Sequence, residues 1–135
     1  MSVSDRMAIA LAAAVLCTAP ALAETPMTAE EFDAFSLGKT LDYSIDGQLY
    51  GSEMHLPGHR TRDADVGKAC HDGTWFAEGD QICFMYGADP KHYCWRFWRQ
   101  GDGLLAQPSG SPDATPSDVT IATTSLTCPG PEVGV

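Results

Sequence analysis

The stretch from Cys70 to Trp98, CHDGTWFAEGDQICFMYGADPKHYCWRFW, decides how this chain folds. Thr74–Ala77 and Gln81–Tyr86 are short β-prone runs separated by Glu78-Gly79-Asp80, a hairpin-type connection. The second run and Tyr93–Arg99 are separated by residues 87–92, whose Gly87 and Pro90 supply turn geometry. A three-stranded meander follows. Alternation places Ile82, Phe84 and Tyr86 on one face of the middle strand, and Tyr93, Trp95 and Phe97 on one face of the next. These six form the expected inner wall. The opposite faces carry Cys83 with Met85, and Cys94 with Arg96 and Trp98. That second face is too apolar to be left fully wet, so something should cover it or bind it.

Residues 1–23 read as a signal peptide. Arg6 gives a basic start, Met7–Leu16 an apolar run, and Ala21-Leu22-Ala23 a small-x-small cleavage site. The run is too short to anchor the chain in a bilayer. The Leu16 directly before Cys17 suits a lipoprotein cleavage site poorly. Soluble export to the periplasm or beyond is therefore expected. Removing 23 of the 135 residues leaves 112, from Glu24 to Val135, enough for one domain with a modest core.

The leader carries Asp5 and Arg6, so the net charge of −10 survives its removal. An acidic domain argues against nucleic acid or an anionic membrane as partner. It permits a cationic protein, a peptide or a metal ion, although an acidic surface also simply keeps an exported protein soluble. Cys70, Cys83, Cys94 and Cys128 remain, an even number in a small exported domain, which implies two disulfides. Three connectivities are possible. Cys83 and Cys94 fall on the same face of adjacent strands, where a cross-strand bond needs only a small register adjustment, and that pairing would leave Cys70 for Cys128.

Upstream, Thr28-Ala29-Glu30-Glu31 is a capping box flanked by a Met27/Phe32 staple, and Gly38 is placed to end the helix. A helix over Ala29–Leu37 follows. At that length it must pack on the sheet, over the second face of the meander (Phe32 and Phe35 on Trp98) or as a plug in one end of a barrel. Thr40–Ile45 alternates with Leu41, Tyr43 and Ile45 inward, Asp46-Gly47 is a two-residue hairpin signal, and Gln48–Leu56 returns. Pro57-Gly58 turns into a polar strand over His59–Ala64. After the meander come a strand over Leu104–Gln107, a Pro/Ser/Gly-rich loop over residues 108–117 that reads as mobile, and a last strand over Val119–Leu126. Pro129-Gly130-Pro131 begins a tail. The predicted fold is mainly β: a small antiparallel barrel or sandwich, lipocalin-like in size, with one short N-terminal helix. Residues 24–135 form one domain.

Four constellations could carry chemistry. His55 and His59 with Met54 could ligate a metal, but Pro57-Gly58 between them rules out a helix, and two exposed turn histidines are the expectation. Cys70-His71-Asp72 invites a nucleophilic reading, yet neighbours in a strand diverge and Cys70 is better used in a disulfide. Asp63 and Asp65 can share a face beside Arg60 and Arg62, where ion pairing among solvated side chains accounts for them. Trp98, Arg96 and Met85 are the candidate binding residues, because Trp and Arg on a sheet face are what protein-binding hot spots are enriched in. The competing reading stacks Arg96 over an aromatic ring inside the fold. No catalytic or cofactor motif is present, and the chain contains no Asn.

The run TAEEFDAFSLGKTLDY, then G-T-W-x3-G-D-x-I-C-F, C-W-R-F and the terminal C-P-G-P-E-V resemble a group of short exported proteins of Gram-negative bacteria that have no established activity. The likeness covers most of the chain after the leader and its motifs are structural. It implies an exported β-domain and assigns no functional residue. Periplasmic lysozyme inhibitors, also small acidic disulfide-bonded barrels, offer an analogy at the level of fold alone, since none of their loop motifs occurs here. The expectation is a monomeric, non-enzymatic periplasmic binding or inhibitor-like module without a cofactor. A metal or small-ligand carrier stands second, and a small hydrolase third.

Overall fold

The computed structural model describes residues 25–128; the leader, its cleavage site and the Pro129-Gly130-Pro131 tail lie outside the described residues. One helix, α1 (Ala29–Ser36), precedes eight strands: β1 (Thr40–Ile45), β2 (Gln48–Leu56), β3 (Arg60–Asp65), β4 (His71–Glu78), β5 (Gln81–Tyr86), β6 (Tyr93–Gln100), β7 (Gly103–Pro108) and β8 (Ser117–Ile121). Each strand pairs antiparallel with the next, and β8 pairs back onto β1, Leu41 opposite Ile121 and Tyr43 opposite Val119. The architecture is a closed up-and-down barrel. Closure leaves no open sheet edge, which neither strand length nor alternation reveals in advance. Among the described residues no helix is long and apolar enough to cross a membrane.

The Asp46-Gly47 hairpin forms as predicted, with φ of 51° and 76° at its two central residues, the left-handed pair that a tight twisted hairpin needs. Just beyond it the β1–β2 register slips: Tyr43 faces Gly51 but Ser44 faces Leu49, so Tyr50 is an extra residue with no partner on β1. The bulge breaks the alternation at the barrel rim. Leu41 is buried in the core and Tyr43 packs against it, as predicted.

The capping box of α1 is complete. Thr28 N–H donates to Glu31 Oε2 at 2.8 Å, and Glu31 N–H donates to Thr28 Oγ1 at 3.2 Å. Of the two predicted placements, α1 takes the plug. Phe32 is fully buried inside the barrel, 4.6 Å from the Phe97 ring, 5.3 Å from Trp75 and 5.4 Å from His55. Met27 N–H donates to Phe97 O at 2.7 Å and stitches the segment before α1 to β6. Phe35, on the same side of α1, is flanked by Lys39 and Arg99. The helix fills the end at which β1 begins and leaves the far end open.

The six meander residues line the interior as expected. Ile82 is opposite Trp95, and Phe84 opposite Tyr93. Cys83–Cys94 and Cys70–Cys128 are disulfides, and such bonds point to an oxidising compartment. The outward disulfide, with the Phe76 and His92 rings 5.0 Å apart beside it, supplies part of the cover that the second face needs. The last strand stops at Ile121 rather than at Leu126. Ala122 N–H still donates to Thr40 O, and residues 122–125 then pass beside Met54 and Leu56 outside β2 on the way to the Cys128 bond. In the 108–117 loop, Gln107 Nε2 donates to the carbonyls of Ser111 and Ala114.

Candidate functional site at the open barrel mouth

The strands bring two short acidic runs face to face inside the open end. On β2 the inward residues are Gly51, Glu53 and His55; on β3 they are Asp65, Asp63 and Thr61, paired with them in that order. One strand further on, His71 stands opposite Asp63. Glu53 is only 4% exposed. Its Oε2 accepts a 2.8 Å hydrogen bond from the Tyr86 hydroxyl, and its Oε1 lies 3.2 Å from His55 Nε2. That second contact is close enough for an ion pair but poorly aligned, and neither His55 nitrogen makes a hydrogen bond. Asp63 Oδ1 is sealed from solvent and has no hydrogen-bond partner either.

Aromatic rings complete the wall. Tyr43, Tyr86, Tyr93 and Trp95 come from regular inward positions, and the bulge turns Tyr50 inward, where its hydroxyl meets Ser117 Oγ at 2.7 Å. Between them lies an open cavity of about 160 Å³ floored by Phe84 and Phe97. Glu53, Asp63 and Asp65 line it, and no Lys or Arg does. Gly73 on β4 is paired with Tyr86. A Cβ at that position would come within 2.6 Å of Met85 O and 2.7 Å of Tyr86 Cδ1, so a residue without a side chain lets the Tyr86 ring lie against β4.

The electrostatics follow from this crowding. Burial, then the charges of Glu53 and Asp65, push the Asp63 carboxyl up to about 6, while His71 pulls it partly back. Burial first and Glu53 next push the Tyr43 and Tyr86 phenols upward, and burial does the same at Tyr50. The tyrosines therefore stay neutral, offering ring faces and hydroxyls rather than charge. Low-dielectric walls around carboxylates of one sign concentrate negative potential in the cavity.

The residues singled out from the sequence lie elsewhere. With Cys83 opposite Cys94, Met85 runs on toward one side of the disulfide and Arg96 and Trp98 toward the other, so the three do not share a patch. Arg96 donates from Nε to Asp80 Oδ1 at 2.9 Å rather than stacking on a ring. Trp98 borders shallow depressions with Leu105 on one flank and with Thr25 and Met27 on the other. Met85 lines a separate outer groove with Arg60 and Asp72. Of the alternative metal ligands, Met54 faces outward on β2, and His59 sits in the turn with its ring stacked 3.7 Å from Trp75. His55, expected as an exposed turn residue, is 1% exposed: β2 extends through Leu56 and alternation turns His55 into the barrel.

The expected solvated ion pairing of Asp63 and Asp65 with Arg60 and Arg62 does not form. Arg62 faces outward and grips Asp72 with Nε–Oδ1 at 2.6 Å, and Arg60 Nε donates to Pro57 O. Among the described residues, Glu78, Cys83 and Cys94 approach one another as metal ligands would, but the two sulfurs are bonded to each other and cannot act as thiolates. Sequence reading pairs Asp63 with Asp65 and does not single out Glu53, so the acidic interior is visible only in the fold. The legible signal was the pairing of Gly-x-Glu-x-His with Thr-x-Asp-x-Asp around the Pro57-Gly58 turn, polar at every position that the register turns inward. Compared with protein family models, with curated proteins and with solved structures, the chain matches none.

Proposed function

We propose that the protein is a non-enzymatic periplasmic binding module whose site is the open barrel mouth. The observation that carries this reading is the asymmetry of the two ends. One end is filled by the chain's own helix, with Phe32 packed to zero exposure. The other keeps a cavity of about 160 Å³ walled by tyrosines and Trp95, with the carboxylates of Glu53, Asp63 and Asp65 in its lining. An aromatic-walled space of this size forgoes packing, and carboxylates of one sign repel one another. A fold selected for stability alone would have filled it, whereas a ligand would supply the missing contacts. Export to the periplasm is supported by the leader-like N-terminus and by two disulfides.

A fragment screen by amide NMR on the disulfide-intact protein tests this. Fragments of five to eight heavy atoms, cationic, neutral and anionic, are titrated, and the Trp95 indole and Tyr43, Tyr86 and Tyr93 amide resonances are followed. Saturable shifts centred on these residues are expected from at least one class. If no class moves them, or if shifts centre on Trp98 and Arg96, the mouth is not the site.

A further inference from the structure

We infer that the barrel mouth receives an organic cation bearing N–H donors, an alkylguanidinium or alkylammonium group of about five to eight heavy atoms; the inference rests on the mouth being a binding site. Four observations converge on that class.

Charge is the first. Glu53, Asp63 and Asp65 line the cavity and no basic side chain enters its wall, so an anion is excluded and a cation is drawn in. The second is the demand for a donor. Tyr86 donates to one Glu53 oxygen, and the carboxylates of Glu53, Asp63 and Asp65 in the wall are acceptors that no Lys or Arg of the lining engages. A quaternary ammonium has no N–H to give them; a primary ammonium or a guanidinium has several.

The third is the wall. Tyrosine and tryptophan faces attract cations, a planar guanidinium stacks on them, and its methylene stem packs against the same rings. Size is the fourth. A cavity of about 150 Å³ holds a benzene-sized guest, so about 160 Å³ holds a charged head with two or three methylenes and little more. Because the cavity opens at a rim formed by Tyr93 and Asp65, the same group could arrive free or at the end of an Arg or Lys side chain.

The test titrates butylguanidinium, butylammonium, tetramethylammonium, 1-butanol and the peptide acetyl-Gly-Arg-Gly-amide into the full disulfide-bonded chain at pH 8 and low salt, read by the Trp95 indole resonance. Butylguanidinium and butylammonium should bind at least tenfold more tightly than tetramethylammonium or butanol. Asp63→Asn should weaken butylguanidinium at least tenfold, and Asp65→Asn, a rim change that leaves the interior intact, about threefold. Binding of the peptide as tight as that of butylguanidinium identifies a polypeptide side chain as the source; its exclusion, with butylguanidinium still bound, identifies a free small cation. Equal binding of tetramethylammonium or butanol, or no loss in Asp63→Asn, overturns the cation inference while leaving the mouth as a site. Silence from every probe overturns the cation inference, and the broader fragment screen then decides whether the mouth itself is the site.

Discussion

Glu53 and Asp63 stand directly opposite each other on β2 and β3, both turned into the barrel, with no Lys or Arg in the cavity wall to separate or neutralise them. Glu53 is held by Tyr86. Asp63 has no such donor on its sealed oxygen. Two carboxyls placed this way work against the folded state, and such costs concentrate where a protein needs them for recognition.

The pH dependence of stability should carry that mark. Asp63 rises from an ordinary value of 3.8 to about 6 on folding, so between these values the folded protein binds more protons than the unfolded one. Stability therefore falls as pH rises through that window, and the full penalty is present above pH 6. Allowing for solvent screening of a half-buried group, the loss is on the order of 1–2 kcal/mol. Urea unfolding at pH 4.5 and pH 8 measures it, and Asp63→Asn should abolish most of the difference.

Tyr86→Phe removes the hydroxyl that donates to the buried Glu53 carboxylate. The expected cost is about 1–3 kcal/mol, the penalty of an unsatisfied buried acceptor. Glu53→Gln in the same background should recover part of it, because a neutral amide suffers less from the missing donor. A double-mutant cycle reads the coupling, and additivity within a few tenths of a kcal/mol would remove the pair from the account.

Gly73→Ala forces a Cβ against Met85 O and the Tyr86 ring. Overpacking of this kind costs roughly 1–3 kcal/mol. The displaced ring should also shift the amide resonances of Tyr86 and Glu53 beyond those of distant Gly103. A variant with wild-type stability and unmoved Tyr86 would show that the close approach has no structural role.

Much of this fold was legible in the chain because local rules set it. Thr28 and Glu31 announce a helix start wherever they occur with this spacing, and alternation alone put Ile82, Phe84, Tyr86, Tyr93, Trp95 and Phe97 on one wall. The Cys83–Cys94 bond followed from the same alternation and leaves only Cys70 and Cys128 for the other. Barrel closure was not legible, since β1–β8 pairing joins residues far apart in sequence and has no local signature. The site was misread for a related reason. Trp98 and Arg96 stand out by residue type, whereas Glu53 and Asp63 matter through a register that only the folded hairpin sets. The bulge that turns Tyr50 inward has no marker in the sequence.

The plug joins the core through Phe32, which is fully buried. Phe32→Ala empties a site in contact with Trp75, Phe97 and His55 and should cost about 3–5 kcal/mol. Thr28→Ala, which loses only the cap, should cost about 1 kcal/mol. Denaturant midpoints at constant slope distinguish the two, and equal small effects would mean that α1 is not integral to the barrel.

Thermal unfolding of wild type and Asp63→Asn at pH 8, each with and without saturating butylguanidinium, tests the central claim most directly. The acidic mouth costs stability and recovers it on binding, so Asp63→Asn should melt several degrees above the ligand-free wild type. Butylguanidinium should raise the wild-type Tm more than that of Asp63→Asn, since a tenfold weaker affinity removes up to about 1.4 kcal/mol of the stabilisation by ligand. An Asp63→Asn protein that melts at or below wild type, or that gains as much from butylguanidinium, would contradict it.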